Sequence, residues 1–226
     1  KGNIKEAIYK KGHLLSNISN ARLFDEFCKI FLNGMAEKNF NKLSSFGLNK
    51  YLILTSPEKN EFTSRLIIEA LRNTDNRLKN NQSVTPGFLM AAVLWPEILE
   101  KSMRKGAINL RKFFRSMDQV LRKQQQITAI PRKFHGYIKD IWVLQLKLHS
   151  RIGKQPYKTL KHPRFRAAYD FLLLREKAAS NKKYLGDWWT DFQKNDDSIK
   201  KSLIKDLREK NNEESSKIFG FSAELR

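Results

Sequence analysis

Apolar side chains in this chain return at the spacing of a helix. Phe24, Phe27, Cys28 and Phe31 fall at i, i+3, i+4 and i+7, and Phe165, Ala168, Tyr169 and Leu172 repeat the interval. Ala167, Phe171 and Leu174 make the second segment apolar on its other side too, which predicts a helix enclosed by neighbours. Proline stands just inside four expected starts, at Ser56-Pro57, Thr85-Pro86, Ile130-Pro131 and His162-Pro163, where its missing N–H is no loss. Ser56 and Thr85 suit helix caps, and Gly34 and Gly47 suit helix ends. The pattern predicts helices near 3–15, 20–33, 36–46, 57–79, 86–104, 107–126, 131–150, 163–180 and 198–210. No run alternates convincingly at period two, and no hairpin turn is flanked by such runs. The expected class is therefore all-α. Beyond Asp196 the chain turns charged, and Asn211-Asn212-Glu213-Glu214-Ser215-Ser216 reads as a frayed or disordered tail.

Charge sharpens this picture. The 226 residues include 44 Lys or Arg and 23 Asp or Glu, for a formal net charge of +21. Residues 101–175 hold 19 of the cations and three acids, Asp118, Asp140 and Asp170, so one third of the chain carries +16. A general solubility bias would spread that charge; a surface that neutralises phosphates would concentrate it. The longest apolar stretch, Phe88 to Trp95, is too short to span a bilayer, and the first 20 residues lack the apolar run of a secretory signal. One cysteine, Cys28, excludes an internal disulfide and suits a reducing cytoplasm. The first residue is Lys1, from which a piece of a longer protein is expected.

The basic residues fall into two sets. Arg132 and Lys133 follow Pro131, and Arg164 and Arg166 follow Pro163, so both pairs are expected at helix N-termini, where cations are disfavoured by the helix dipole unless an anion joins them. Arg151 and Lys154 lie in the expected loop between these helices and are candidates to border the same groove. Arg166 and Asp170 are also i, i+4 partners, which allows a local ion pair instead. The second set is Arg104, Lys105, Arg111, Lys112, Arg115, Arg122 and Lys123; Arg111, Arg115 and Arg122 share one helical face, suited to an RNA backbone more than to a membrane surface. Trp188, Trp189 and Tyr157 are candidates to stack on bases, with core packing the stronger expectation for the tryptophan pair and Trp142. Cys28, His13, His135, His149 and His162 show no metal-ligand spacing, and no Asp-x-Asp, Asp-x-Glu or glycine-rich phosphate loop occurs. Arg22 and Glu26 are expected to pair locally.

Several runs, taken in order, resemble bacterial poly(A) polymerase of the class II nucleotidyltransferase family. They are Asn20-Ala21-Arg22-Leu23-Phe24-Asp25-Glu26-Phe27, Leu71-Arg72-Asn73-Thr74-Asp75-Asn76-Arg77, Pro86-Gly87-Phe88-Leu89-Met90-Ala91-Ala92 with Trp95-Pro96, Ile130-Pro131-Arg132-Lys133 leading to Asp140-Ile141-Trp142-Val143-Leu144-Gln145-Leu146, Arg151-Ile152-Gly153-Lys154, and the block from His162 to Arg175. The likeness covers roughly residues 14 to 195 and corresponds to the family's C-terminal neck, body and leg, without the catalytic head.

The resemblance implies neck-like helices over 1–55, a helical body with the basic tract over 56–195 and a charged tail over 196–226. It implies an enzyme that, when complete, adds AMP from ATP to RNA 3′ ends, using ATP and Mg²⁺ held by head carboxylates. This segment alone is then expected to be inactive, to bind no cofactor, and to act as a cytoplasmic monomer with RNA 3′ ends and the catalytic head as partners. The expected RNA-binding residues are Arg132, Lys133, Arg151, Lys154, Arg164, Arg166, Arg111, Arg115 and Arg122, with no catalytic residue assigned. A CCA-adding tRNA nucleotidyltransferase shares the architecture, and a stand-alone RNA-binding module is the alternative from another class.

Overall fold

A computed structural model describes residues 2–104, 106–179 and 184–213, with side chains over 4–104, 106–179 and 184–207. It is all-α apart from one small hairpin. In chain order the α-helices are α1 (Gly2–Lys11), α2 (Asn20–Phe31), α3 (Ala36–Ser44), α4 (Glu61–Lys79), α5 (Pro86–Ser102), α6 (Leu110–Gln125), α7 (Arg132–His149), α8 (Gln155–Leu160), α9 (Phe165–Ala178), α10 (Tyr184–Lys194) and α11 (Asp197–Glu213). Caps mark the starts as expected: Thr85 accepts from Phe88 N at 3.1 Å, and Ser56 accepts from Glu58 N at 3.4 Å. Pro57, however, opens only a short 3₁₀ turn, and α4 begins after Asn60, whose side chain accepts from Thr63 N at 2.8 Å.

Four expectations need correction. Residues Met103–Arg104 and Ala107–Ile108 form an antiparallel hairpin, because Gly106 takes φ 80° and turns the chain where continuous helix was expected on both sides. The 155–160 stretch is helical, but a single six-residue turn is too short to show a period. The 184–194 stretch is helical too, and its signal was present: Leu185, Trp188, Trp189 and Phe192 repeat the i, i+3, i+4, i+7 stripe, interrupted by Gly186. That glycine permits a close approach to α9, since a Cβ there would meet the side-chain ends of Glu176 and Leu173. Finally, the backbone stays helical through Glu213; the rest of the expected tail lies outside the described residues.

Apolar burial forms two clusters. The larger runs from Leu23 on α2 through α3, α4, α5 and α6 to Trp142 on α7 and Phe171 on α9. The smaller joins Leu144 and Leu148 of α7, Phe165 and Tyr169 of α9, Trp188 and Trp189 of α10, and Ile204 of α11. Helices α7 and α9 therefore belong to both. α5 is the centre of the larger cluster, packed against α4, α6 and α7, while α4 and α7 also pack on α9.

Candidate nucleic-acid interface

One end of the bundle gathers several helix termini. The last turns of α4, the start of α5, the first third of α7 and the start of α9 enclose a cavity of about 210 Å³, lined among others by Asn73, Arg77, Phe88, Tyr137, Arg164 and Asp170. Local sequence builds it. Asn81, at φ 54°, ends α4, and Arg77 reaches over the turn so that its Nε donates to Ser83 O at 3.1 Å. Gly87 lets α7 come close, for a Cβ there would lie 3.0 Å from Tyr137 and 3.1 Å from Phe134.

Helix α9 starts at Phe165, not Pro163; Arg164 is its cap residue and Arg166 lies in the first turn. The exposed Arg164 guanidinium lies over the Tyr137 ring, 4.9 Å from its centroid, a cation–π contact, and makes no ion pair among the described residues. Arg166 takes the local alternative: its Nε lies 3.0 Å from Asp170 Oδ1, while Arg77 Nη1 lies 3.5 Å from Oδ2. Burial pushes the Asp170 carboxyl above its usual range, against the pull of Arg166 and Arg77. Three arginines against one carboxylate leave the rim positive.

Arg132 and Lys133 are exposed at the first turn of α7, where Pro131 supplies no side-chain cap. Lys133 precedes Tyr137 by four residues and so lies on the same helical face, which carries the basic rim along α7. Arg111, Arg115 and Arg122, with Lys112 and Lys123, are exposed on α6 opposite its buried Phe113, Met117 and Val120. None of these five forms an ion pair among the described residues; Asp118, on the same helix, pairs with Lys139 of α7 at 2.6 Å. Arg104 is exposed in the hairpin, and Lys105 lies outside the described residues.

Arg151 and Lys154 do not line the cavity. They follow the C-terminal end of α7, whereas the cavity is built on its first third, and the connection read as a plain loop contains α8. Lys154 is exposed before α8, whereas Arg151 turns in: it is half-buried, 5.4 Å from the Trp188 ring centroid, and burial pulls its pKa down against the attraction of Glu176. The expected Arg22–Glu26 pair is also replaced, because Glu26 turns to Lys29 at 2.8 Å.

Most of the candidate stacking aromatics are enclosed. Trp142 and Trp189 are fully buried and donate to Ala91 O at 2.8 Å and Leu148 O at 2.9 Å. Trp188 is buried, and Tyr157 packs on Phe192. Phe114 is exposed among the α6 cations, and Tyr137 and Phe88 line the cavity; a binding role was not expected from the sequence for Tyr137, Phe88, Asn73 or Arg77. A signal existed for the last two, since i, i+4 spacing sets them on one face of α4. Among the described residues no three His, Cys, Asp or Glu gather as a metal ion requires, and no helix is long and apolar enough to cross a membrane.

Comparison with known proteins matches two parts of this architecture separately. Residues 105–218 match a family model described as the arginine-rich C-terminus of polymerase A, and residues 2–61 match one described as the probable RNA- and SrmB-binding site of polymerase A. Poly(A) polymerase I of Salmonella typhimurium is 33% identical over 213 residues, covering 89% of this chain and 46% of the relative. The enzyme of Escherichia coli O157:H7 is 34% identical over 215 residues, covering 90% and 46%, and that of Haemophilus influenzae is 32% identical over 212 residues, covering 89% and 47%. The chain thus spans just under half the length of these curated relatives.

Proposed function

This chain belongs to the polymerase A family by its arginine-rich C-terminus, and from that premise we propose that it holds the 3′ portion of an RNA strand while a catalytic head adds AMP from ATP to the end. The observation that carries the reading is the set of α6 cations without acidic partners among the described residues, together with the exposed Arg132 and Lys133 at the start of α7 and Arg164 at the Tyr137 cavity. Cations that are exposed and not neutralised internally retain their attraction for phosphate, and phosphate contacts position a strand without reading it. In this reading the helices of 1–55 act as the neck toward the head, 56–195 as the RNA-holding body, and 196–226 as a charged extension. ATP and Mg²⁺ belong to the head's chemistry, which needs paired carboxylates to hold cations; this chain has no Asp-x-Asp or Asp-x-Glu, so by itself it is expected to be inactive. The complete enzyme would work as a monomer in the cytoplasm.

The test has two arms. The 226-residue chain should bind single-stranded RNA with an affinity that falls steeply as salt rises; a flat response would reject the reading. Joined to a head, it should incorporate AMP repeatedly. Addition limited to a few CMP and one AMP would favour the CCA-adding alternative, against which the poly(A) polymerase names of the relatives weigh.

A further inference from the structure

The Tyr137 cavity has features that phosphate binding does not need. At about 210 Å³ it is smaller than the roughly 300–1,000 Å³ of sites that enclose a drug-sized molecule, and suits one flat ring better than a chain. One wall is the Tyr137 ring with the Arg164 guanidinium stacked 4.9 Å from its centroid, and Phe88 stands beside it. Phosphate gains nothing from an aromatic face, whereas every base has a π-face that stacks on aromatic and guanidinium planes.

The polar wall points the same way. Asn73 Nδ2 is buried at the cavity yet has no hydrogen-bond partner among the described residues. A buried donor left unmade is unfavourable and is relieved by an incoming acceptor. Asp170, fixed between Arg166 and Arg77, supplies an acceptor nearby on α9. A donor and an acceptor beside a stacking surface complement the edge of a nucleobase. The cationic rim of Arg77, Arg164 and Arg166 would then meet the flanking phosphates. We propose that this cavity takes one unpaired base of the bound RNA, stacked against Tyr137 and Arg164 with its polar edge toward Asn73 and Asp170. The inference rests on the RNA-holding reading and deepens it: contact with the strand is not by backbone alone.

The experiment compares a short oligoadenylate with a ribose-phosphate strand of equal length that lacks bases, each titrated into the 226-residue chain. The base-bearing strand is expected to bind tighter on the order of tenfold, the lower part of the range for one stacked base. Asn73→Leu, which removes a donor that makes no internal bond, should reduce that preference about threefold and leave the circular dichroism and melting curve in place. Tyr137→Leu should remove most of it. Equal binding of the two strands, with normal salt dependence, would overturn the base pocket and leave the RNA-holding reading intact. A preference unchanged in folded Asn73→Leu protein would overturn it as well. Failure of both strands to bind would overturn the RNA-holding reading, and the pocket with it.

Discussion

The same residue type performs opposite tasks at different depths. Arg175 is 2% exposed; its Nη1 donates to Gln145 Oε1 at 2.9 Å and its guanidinium stacks 4.7 Å from the Trp95 ring. Gln145 in turn donates to Ile141 O at 3.1 Å and Ala168 O at 3.0 Å, tying α7 to α9. Arg175→Leu strands the Gln145 acceptor and should cost about 3 kcal/mol in urea unfolding, while Arg111→Leu on exposed α6 should stay within about 0.5 kcal/mol. His149 is a half-buried case: desolvation first, then Arg175 and Arg151, drive its pKa from 6.5 to about 3. The unfolded chain therefore binds a proton that the folded chain refuses between these values, so stability falls as pH falls from about 6.5 toward 3 and is unaffected by this group above that window. His149→Gln should flatten that decline in urea midpoints measured across the window, without changing their salt dependence.

At the scale of elements, the run from Leu71 to Arg77 has a structural rationale. Asp75 on α4 accepts from Ala36 N at 2.6 Å and Glu37 N at 3.1 Å, so a side chain of one helix caps the N-terminus of another. Arg72 fastens the same junction, bonding Glu37 through Nε at 2.9 Å and Nη2 at 2.8 Å. Asp75→Ala should cost about 1–2 kcal/mol, read as a lower urea midpoint, because two amide donors lose their acceptor. Such a cap is invisible in sequence, since 39 residues separate Asp75 from Ala36. Local features were legible: the stripes of α2 and α9, the Thr85 cap and the Arg166–Asp170 pair all follow from spacing within one helix. Features made between elements were not. Arg164 on Tyr137, Arg151 turned against Trp188, and the whole cavity depend on how helices distant in sequence come together. The α10 stripe is the exception, a local signal obscured by Gly186, which lies against Glu176 and donates its N–H to Oε1 at 3.0 Å.

Across the whole molecule, charge and core are kept apart. Arg175 and, in part, Arg151 are drawn inward, while the α6 cations remain outside both apolar clusters. Replacing Arg111, Arg115 and Arg122 together by glutamine should lower the slope of log affinity against log salt by up to about 2 and leave the melting temperature nearly unchanged. A normal slope in the triple variant would show that these three side chains do not meet phosphate. Helices α7 and α9 run through both clusters, and their leading ends carry Lys133, Tyr137 and Arg164. The groups that would receive a strand thus stand on the most firmly braced parts of the bundle. Encounter should need no slow rearrangement, so that in stopped-flow the observed rate climbs linearly with RNA concentration and shows no plateau.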